Sequence, residues 1–255
     1  MEHTEEEYIA GKHSVLEALR SRRSVNKIWI ADNAQKQLTL PIVTEAKLAG
    51  VIVQYVDKRK LDQMIESGVP HQGVVAQVAP FDYVSVEHIL AVATDKEEVP
   101  FILILDEIED PHNLGSILRT ADCSGVHGVI IPKRRAAGIT ATVSKTSAGA
   151  VEYVPVARVT NIVQTIEFLK KQGVWIGGTD ASAKQDAYKS DLTIPLALVI
   201  GNENKGMGRL IKEKCDFLLK LPMLGHIQSL NASVAAGVLM YETVRQRQSK
   251  PVKPK

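Results

Sequence analysis

Cysteine is nearly missing from this chain: Cys123 and Cys215 are the only two in 255 residues. A pair so sparse and far apart supports neither a disulfide framework nor a zinc site. Long apolar runs are missing too; none approaches the roughly 18 residues of a membrane span. The acidic, polar start MEHTEEEY is no signal peptide. Charge of one sign is also scarce, since the formal net charge is +2, too mild to mark a nucleic-acid binder without local clusters. The expectation is a soluble, cytoplasmic protein with no membrane and no metal. Several catalytic signatures are absent as well. No G-x-x-x-x-G-K-[ST] occurs, and no G-x-G-x-x-G follows a strand and opens a helix, which argues against an ATPase or a Rossmann enzyme. Without H-E-x-x-H or G-x-S-x-G, metal hydrolysis and the serine nucleophile elbow lose their best support.

What is present is an alternation of strand and helix. Tyr8-Ile9-Ala10-Gly11 precedes a helical stretch with Val15, Leu16 and Leu19 on one face. That stretch ends in Arg20-Ser21-Arg22-Arg23, which either contacts RNA or is solvated, the second being favoured. Lys27 to Ala31, Val51 to Val56 and Val74 to Val78 read as strands, with helices from Pro41 to Gly50 and from Lys58 to Ser67. The front therefore forms a small three-layer α/β domain over residues 1–79. The pattern weakens over residues 80–100, read as a linker with a short helix near Val86 to Ala93. A second α/β domain, residues 101–247, opens with the continuous apolar strand Phe101 to Leu105. Further strands are expected at Gly128 to Ile131, Glu152 to Val156, Val174 to Gly177, Leu196 to Ile200 and Phe217 to Leu221, in a mostly parallel sheet. Helices near Val143 to Ala148 and Ile162 to Lys171 lie between them, and residues 248–255 read as a disordered tail.

Chemistry concentrates at the ends of these elements. Asn113 is read as the N-cap of a helix carrying Leu114, Ile117 and Leu118, with Arg119 six residues on. The strand ending at Ile200 breaks at Gly201 into Asn202-Glu203-Asn204-Lys205-Gly206. The strand ending at Leu221 breaks into Pro222-Met223, and Ser229, Leu230 and Asn231 follow at a helix start. Ligands of open α/β sheets sit outside the carboxyl ends of strands, and a helix start offers unpaired N–H groups. This is a candidate pocket, although glycine turns and caps alone would give the same pattern. Lys133-Arg134-Arg135, just after a strand, binds phosphate or is an exposed loop, with a mild lean to phosphate.

NLGSILRTAD, GNENKGM and LPMLGHIQSLNASVAAGVLMYE resemble, in order and interval, the three motifs of the SpoU (TrmH-like) branch of the SPOUT RNA 2′-O-ribose methyltransferases. YIAGKHSVLEAL and HQGVVAQV are similar to the ribosomal-protein-like RNA-binding domain of the RlmB-type subgroup. The resemblance implies a C-terminal SPOUT α/β domain with a deep trefoil knot, S-adenosylmethionine as cofactor and a homodimer. It also implies cofactor binding at Thr179, Ile200, Gly201, Leu221, Met223, Ser229 and Leu230, with Gly201 suited to a close backbone approach. Arg119 matches the family's catalytic arginine, and Asn113, Glu203, Ser229 and Asn231 its other polar positions.

The family arginine has been cast as a base, yet a guanidinium pKa above about 12 argues against that. Arg119 is better read as binding the adjacent phosphate and favouring the forming alkoxide. Glu203 orients Asn231 or Ser229, or holds its loop by accepting backbone N–H bonds; spacing does not separate these roles. The expected reaction is methylation of a guanosine ribose in 23S ribosomal RNA. The alternatives are a transfer-RNA ribose methyltransferase and a non-catalytic RNA-binding ribosome-assembly protein.

Overall fold

The computed structural model describes residues 7–249 apart from 22, 66–68, 204 and 228. In chain order the front elements are β1 Glu7–Ala10, α1 Lys12–Arg20, β2 Val25–Ala31, α2 Lys36–Leu48, β3 Ile52–Val56, α3 Lys58–Met64 and β4 Val74–Val78. Then come α4 Val86–Asp95, β5 Phe101–Leu105, α5 Pro111–Cys123, β6 Gly128–Pro132, α6 Ala141–Thr146, β7 Val156–Val159, α7 Ile162–Lys171 and β8 Trp175–Thr179. The chain continues with β9 Gln185–Asp186, β10 Leu196–Ile200, α8 Arg209–Lys214, β11 Phe217–Lys220 and α9 Ala232–Ser249.

The first compact unit comprises residues 1–82 together with residues 138–153. Its sheet has the order β1-β4-β2-β3, antiparallel except for the parallel β2–β3 pair. Alternate residues of each strand face opposite ways, so two separate cores form. Ile28, Ile30, Val74 and Ala76 pack with Val15 and Ala18 of α1 and Ile42 and Ala46 of α2. Trp29, Ala31 and Val75 pack with Leu61 of α3 on the other face. This is the three-layer unit expected.

Three details differ from the sequence reading. Helix α2 starts at Lys36, five residues before Pro41, which sits inside it. Arg23 is neither solvated nor placed to meet RNA: its side chain is 8% exposed and pairs with Glu7 at 3.0 Å and Glu152 at 2.8 Å. Arg22 and the last two residues of the expected third helix lie outside the described residues.

The largest difference is in the domain boundary. Residues 138–153, assigned by sequence to the catalytic domain, pack into the front unit. Ser14 Oγ donates to the Ser144 carbonyl at 3.2 Å, and Tyr153 Oη donates to Glu17 at 2.6 Å. Gly149 has φ +88°, and a Cβ there would lie 2.6 Å from Glu17 Cβ, so only glycine lets this segment lie against α1. Burial pushes the Glu152 carboxyl above its usual range, while the Arg23 guanidinium works to lower it.

The second unit, residues 83–137 and 154–255, holds a seven-stranded sheet in the order β7-β6-β5-β10-β8-β11-β9, with every pairing parallel. β5 and β10 lie side by side and are buried along their whole length, as continuous apolar runs require. The expected strand at Glu152 to Val156 is instead β7, from Val156, because residues 150–152 form a single 3₁₀ turn. α9 extends to Ser249, so residues 248 and 249 end a helix; residues 250–255 lie outside the described residues. Among the described residues, no helix is long and apolar enough to cross a membrane.

Candidate active site

Parallel strands all deliver their carboxyl ends to one edge of the sheet, and α5 and the loops after β8, β10 and β11 leave from that edge. Helix α5 begins three residues earlier than the sequence suggested. Asp110 is its N-cap, accepting from His112 N–H at 2.8 Å, and Pro111 takes the first turn, where no N–H is needed. Asn113 is therefore not the cap but a buried residue of that first turn.

Its amide is used for long-range contacts. Asn113 Nδ2 donates to Glu203 Oε1, and Asn113 Oδ1 accepts from Asn231 Nδ2 at 2.9 Å. Asn231 Nδ2 also donates to Glu203 Oε1 at 3.3 Å, closing a ring of three side chains. Asn231 caps α9 as expected, Oδ1 accepting from Ser233 N–H at 3.0 Å and Val234 N–H at 3.3 Å. Glu203 Oε1 further accepts from Ala232 N–H at 3.3 Å, so a carboxylate sits at the positive end of α9. Of the two roles open for Glu203, the geometry supplies the first: it bonds Asn231, and the backbone N–H it takes belongs to Ala232 of α9, not to its own loop.

The loop after β10 folds back on itself, Gly206 N–H donating to the Asn202 carbonyl at 2.8 Å. A Cβ at Gly201 would lie 2.5 Å from Gly206 C and 2.6 Å from Met207 N. The close approach expected at Gly201 is thus made by the protein's own backbone, and the glycine is needed for the loop itself. Asp106, 6% exposed, accepts from Gly208 N–H at 2.7 Å and ties this loop to β5. Burial raises its carboxyl pKa, against the lowering effect of that bond.

Beside the ring lies a cavity of about 450 Å³, within the roughly 300–1,000 Å³ of small-molecule sites. Thr179, Ile200, Gly201, Leu221, Met223, Ser229 and Leu230, the seven residues expected to meet a cofactor, all line it, and so does Glu203. Leu219 and Leu239 add apolar wall, and Asp180, Ser182, Lys205 and Lys220 add polar groups that the sequence reading missed. Asp180 was within reach of that reading, since it directly follows strand β8. Burial pushes the Asp180 carboxyl up, but Lys212, at 2.5 Å, and the Ser182 hydroxyl and amide outweigh it and hold the pKa below its usual value.

Arg119 does not join this group. It is exposed on α5 and outside the cavity lining. Six residues of α-helix carry it about 9 Å along the axis from Asn113 and about 120° around it, so the two face different ways. In the basic loop after β6, Arg135 pairs with Glu107 at 3.0 Å, and Lys205 lies 3.7 Å from the other oxygen of that carboxylate. The Arg135 guanidinium accordingly holds the Glu107 carboxyl below its usual range. Among the described residues, no group of three or more His, Cys, Asp or Glu could hold a metal ion.

Comparison with known proteins bears on what such a site does. Residues 100–241 match the model of the SpoU rRNA methylase family, and residues 8–84 match that of the RNA 2′-O ribose methyltransferase substrate-binding domain. A protein of Bacillus subtilis (strain 168) assigned to the TrmH family of tRNA/rRNA methyltransferases, YacO, is 56% identical over 94% of this chain and 96% of its own. The crystal structure of the SpoU methyltransferase AviRb from Streptomyces viridochromogenes, in complex with AdoMet, superposes with a TM-score of 0.81 at 25% identity, covering 96% of this chain and 92% of that one. A TrmH/SpoU tRNA-modifying enzyme of A. aeolicus matches 59% of this chain and 76% of its own at 32% identity and a TM-score of 0.53. With both of its halves matched and a relative more than half identical along nearly its whole length, this chain belongs to the SpoU/TrmH family of RNA 2′-O-ribose methyltransferases.

Proposed function

We propose that the chain methylates the ribose 2′-hydroxyl of a guanosine in 23S ribosomal RNA, in the cytoplasm, with S-adenosylmethionine as donor. The observation that carries this reading is the meeting of all seven expected cofactor residues in one cavity beside the Asn113–Glu203–Asn231 ring. The residues fit the cofactor. Apolar wall from Ile200, Leu219 and Leu239 suits an adenosine, and the carboxylates of Asp180 and Glu203 suit a cation. The methyl group comes from the cofactor's sulfonium; the remaining tasks belong to the protein.

Thr179, Ile200, Gly201, Leu221, Met223, Ser229 and Leu230 hold the donor, largely through backbone groups. Glu203 fixes the two asparagines and the start of α9, which keeps the cavity wall in place before substrate arrives. Arg119 binds the phosphate next to the reacting ribose and favours the forming alkoxide electrostatically. Because Arg119 lies outside the cavity of its own chain, this role belongs to a homodimer in which one protomer serves the other's cavity. The exposed Val234 and Tyr241 on α9, the helix packed against α5, support such a dimer. A trefoil knot formed by the loops after β10 and β11 belongs to the same reading, as does a front domain that selects the RNA.

The test offers purified ribosomal RNA and transfer RNA from a strain lacking the protein to the enzyme with radiolabelled S-adenosylmethionine, and maps the product by primer extension. One 2′-O-methylated guanosine in 23S RNA is expected. Label in transfer RNA alone would move the substrate to the alternative within the family. Failure to bind S-adenosylmethionine in calorimetry would favour a non-catalytic assembly protein and overturn the proposal.

A further inference from the structure

The front unit contains a second cleft, of about 620 Å³, whose lining includes no residue discussed above as catalytic. Asn33 and Ala34 after β2, Lys58 and Asp62 on α3, and the loop Val69 to Gly73 line it. His71 forms its foundation. The imidazole is 4% exposed; Nδ1 accepts from Gly73 N–H at 2.9 Å, so the proton sits on Nε2, which faces Asp62 Oδ1 at 3.0 Å. Lys145 Nζ donates to the Pro70 carbonyl and fastens the same loop from the 138–153 segment.

Held at both ends, the loop places Gln72 at φ +51°, a left-handed conformation that L side chains disfavour. The outcome of this tension is an exposed Gln72 in the lining of the cleft, which the exposed Asn33 and Lys58 share. Two carboxamides present donors and acceptors in the pattern that reads a base edge, and an ammonium meets phosphate. Val69, Pro70 and Ala34 supply apolar surface for a base face, and the lining contains no Phe, Tyr or Trp.

We infer that this cleft takes one unstacked nucleotide of the RNA substrate, its base edge read by Asn33 and Gln72 and its phosphate held by Lys58. The inference rests on RNA being the substrate, as proposed above. It adds a recognition point separate from the methylated ribose, which gives the front unit a way to choose among loops of similar shape.

Photo-crosslinking tests it directly. Total RNA from a strain lacking the protein, carrying 4-thiouridine, is irradiated with the full-length enzyme, and crosslinked peptides are identified by mass spectrometry. Adducts at residues 33–34, 58 or 69–73 are expected; adducts confined to other segments overturn the inference. Binding to the same RNA is then measured for two variants. Gln72→Gly keeps the left-handed backbone and removes the side chain with its amide, and is expected to weaken binding about tenfold with the salt dependence unchanged. Lys58→Gln is expected to lower the slope of log affinity against log salt by about 0.7, the value for one phosphate contact on a single strand. Both are expected to bind S-adenosylmethionine like the wild type. Wild-type RNA affinity and slope in both variants refute the inference while the proposed function stands. A wild-type protein that binds no RNA overturns both.

Discussion

Gly201→Ala is a one-carbon perturbation whose consequence can be worked out from the loop after β10. The added Cβ would meet Gly206 C at 2.5 Å, Met207 N at 2.6 Å and Gly206 O at 2.8 Å, all backbone atoms with no rotamer to retreat into. Ordinary contact begins near 3.4 Å, so the loop must open by up to about 0.9 Å, which breaks the 2.8 Å bond from Gly206 N–H to Asn202 O. Overpacking of this kind costs about 1–3 kcal/mol. Because Glu203 lies between the two ends of that bond, the ring with Asn113 and Asn231 loosens with it. Strand β10 itself is buried and keeps its register, so the unit stays folded. Calorimetric titration with S-adenosylmethionine should show at least a tenfold loss of affinity, alongside a melting temperature lowered by a few degrees, about 2–4 °C per kcal/mol at this size. Wild-type affinity and melting temperature in Gly201→Ala would refute the claim that this glycine is required by its own loop.

Other perturbations separate the remaining roles. Arg119→Ala should leave melting and cofactor affinity unchanged, since the residue is exposed, yet lower the single-turnover rate about a hundredfold; a wild-type rate would reduce Arg119 to a surface residue. Deleting residues before Ala79 strips residues 138–153 of their packing partners, so limited proteolysis should cut the truncated protein first within that segment; resistance there would mean the segment folds without the front sheet. His127 is buried at the head of β5, where Nδ1 accepts from Phe101 N–H at 3.0 Å, and burial lowers its pKa against the opposing pull of Glu98. A depressed folded pKa means that stability is present above the unfolded value of about 6.5 and is lost as pH falls through the folded value. Melting temperature should therefore drop on acidification below about pH 6.5, and less steeply in His127→Gln; equal slopes would refute this. The Cys215 thiol, pushed up to about 11 by burial, should resist a thiol reagent until the protein unfolds, while exposed Cys123 reacts at once.

How far the sequence could be read follows from which signals are local. FILIL and LALVI announce β5 and β10 because a strand covered on both faces must be apolar throughout. The short α8 carries no such signal, since none of its six residues is buried. Asn113 looks like a cap in sequence, but Asp110-Pro111, an acceptor followed by a residue with no N–H, marks the true start. The cavity was legible because its lining falls at strand ends and helix starts, which motif order records. The joining of Asn113 to Glu203, 90 positions apart, was not, since no periodicity reports which loops meet. The allegiance of residues 138–153 was hidden for the same reason: an amphipathic stretch declares that it needs a sheet to cover, and not which sheet.

That allegiance has a consequence for synthesis on the ribosome. The front sheet is complete once Val78 has been made, but Gly149, Glu152 and Tyr153, which close it against α1 and neutralise Arg23, come about 70 residues later. At about 5–20 residues per second, the nascent front unit waits roughly 4–14 s with Arg23 paired to Glu7 but lacking Glu152, and with an uncovered helix face. Its final consolidation must therefore coincide with emergence of the middle of the catalytic sheet, and the two halves cannot mature strictly one after the other.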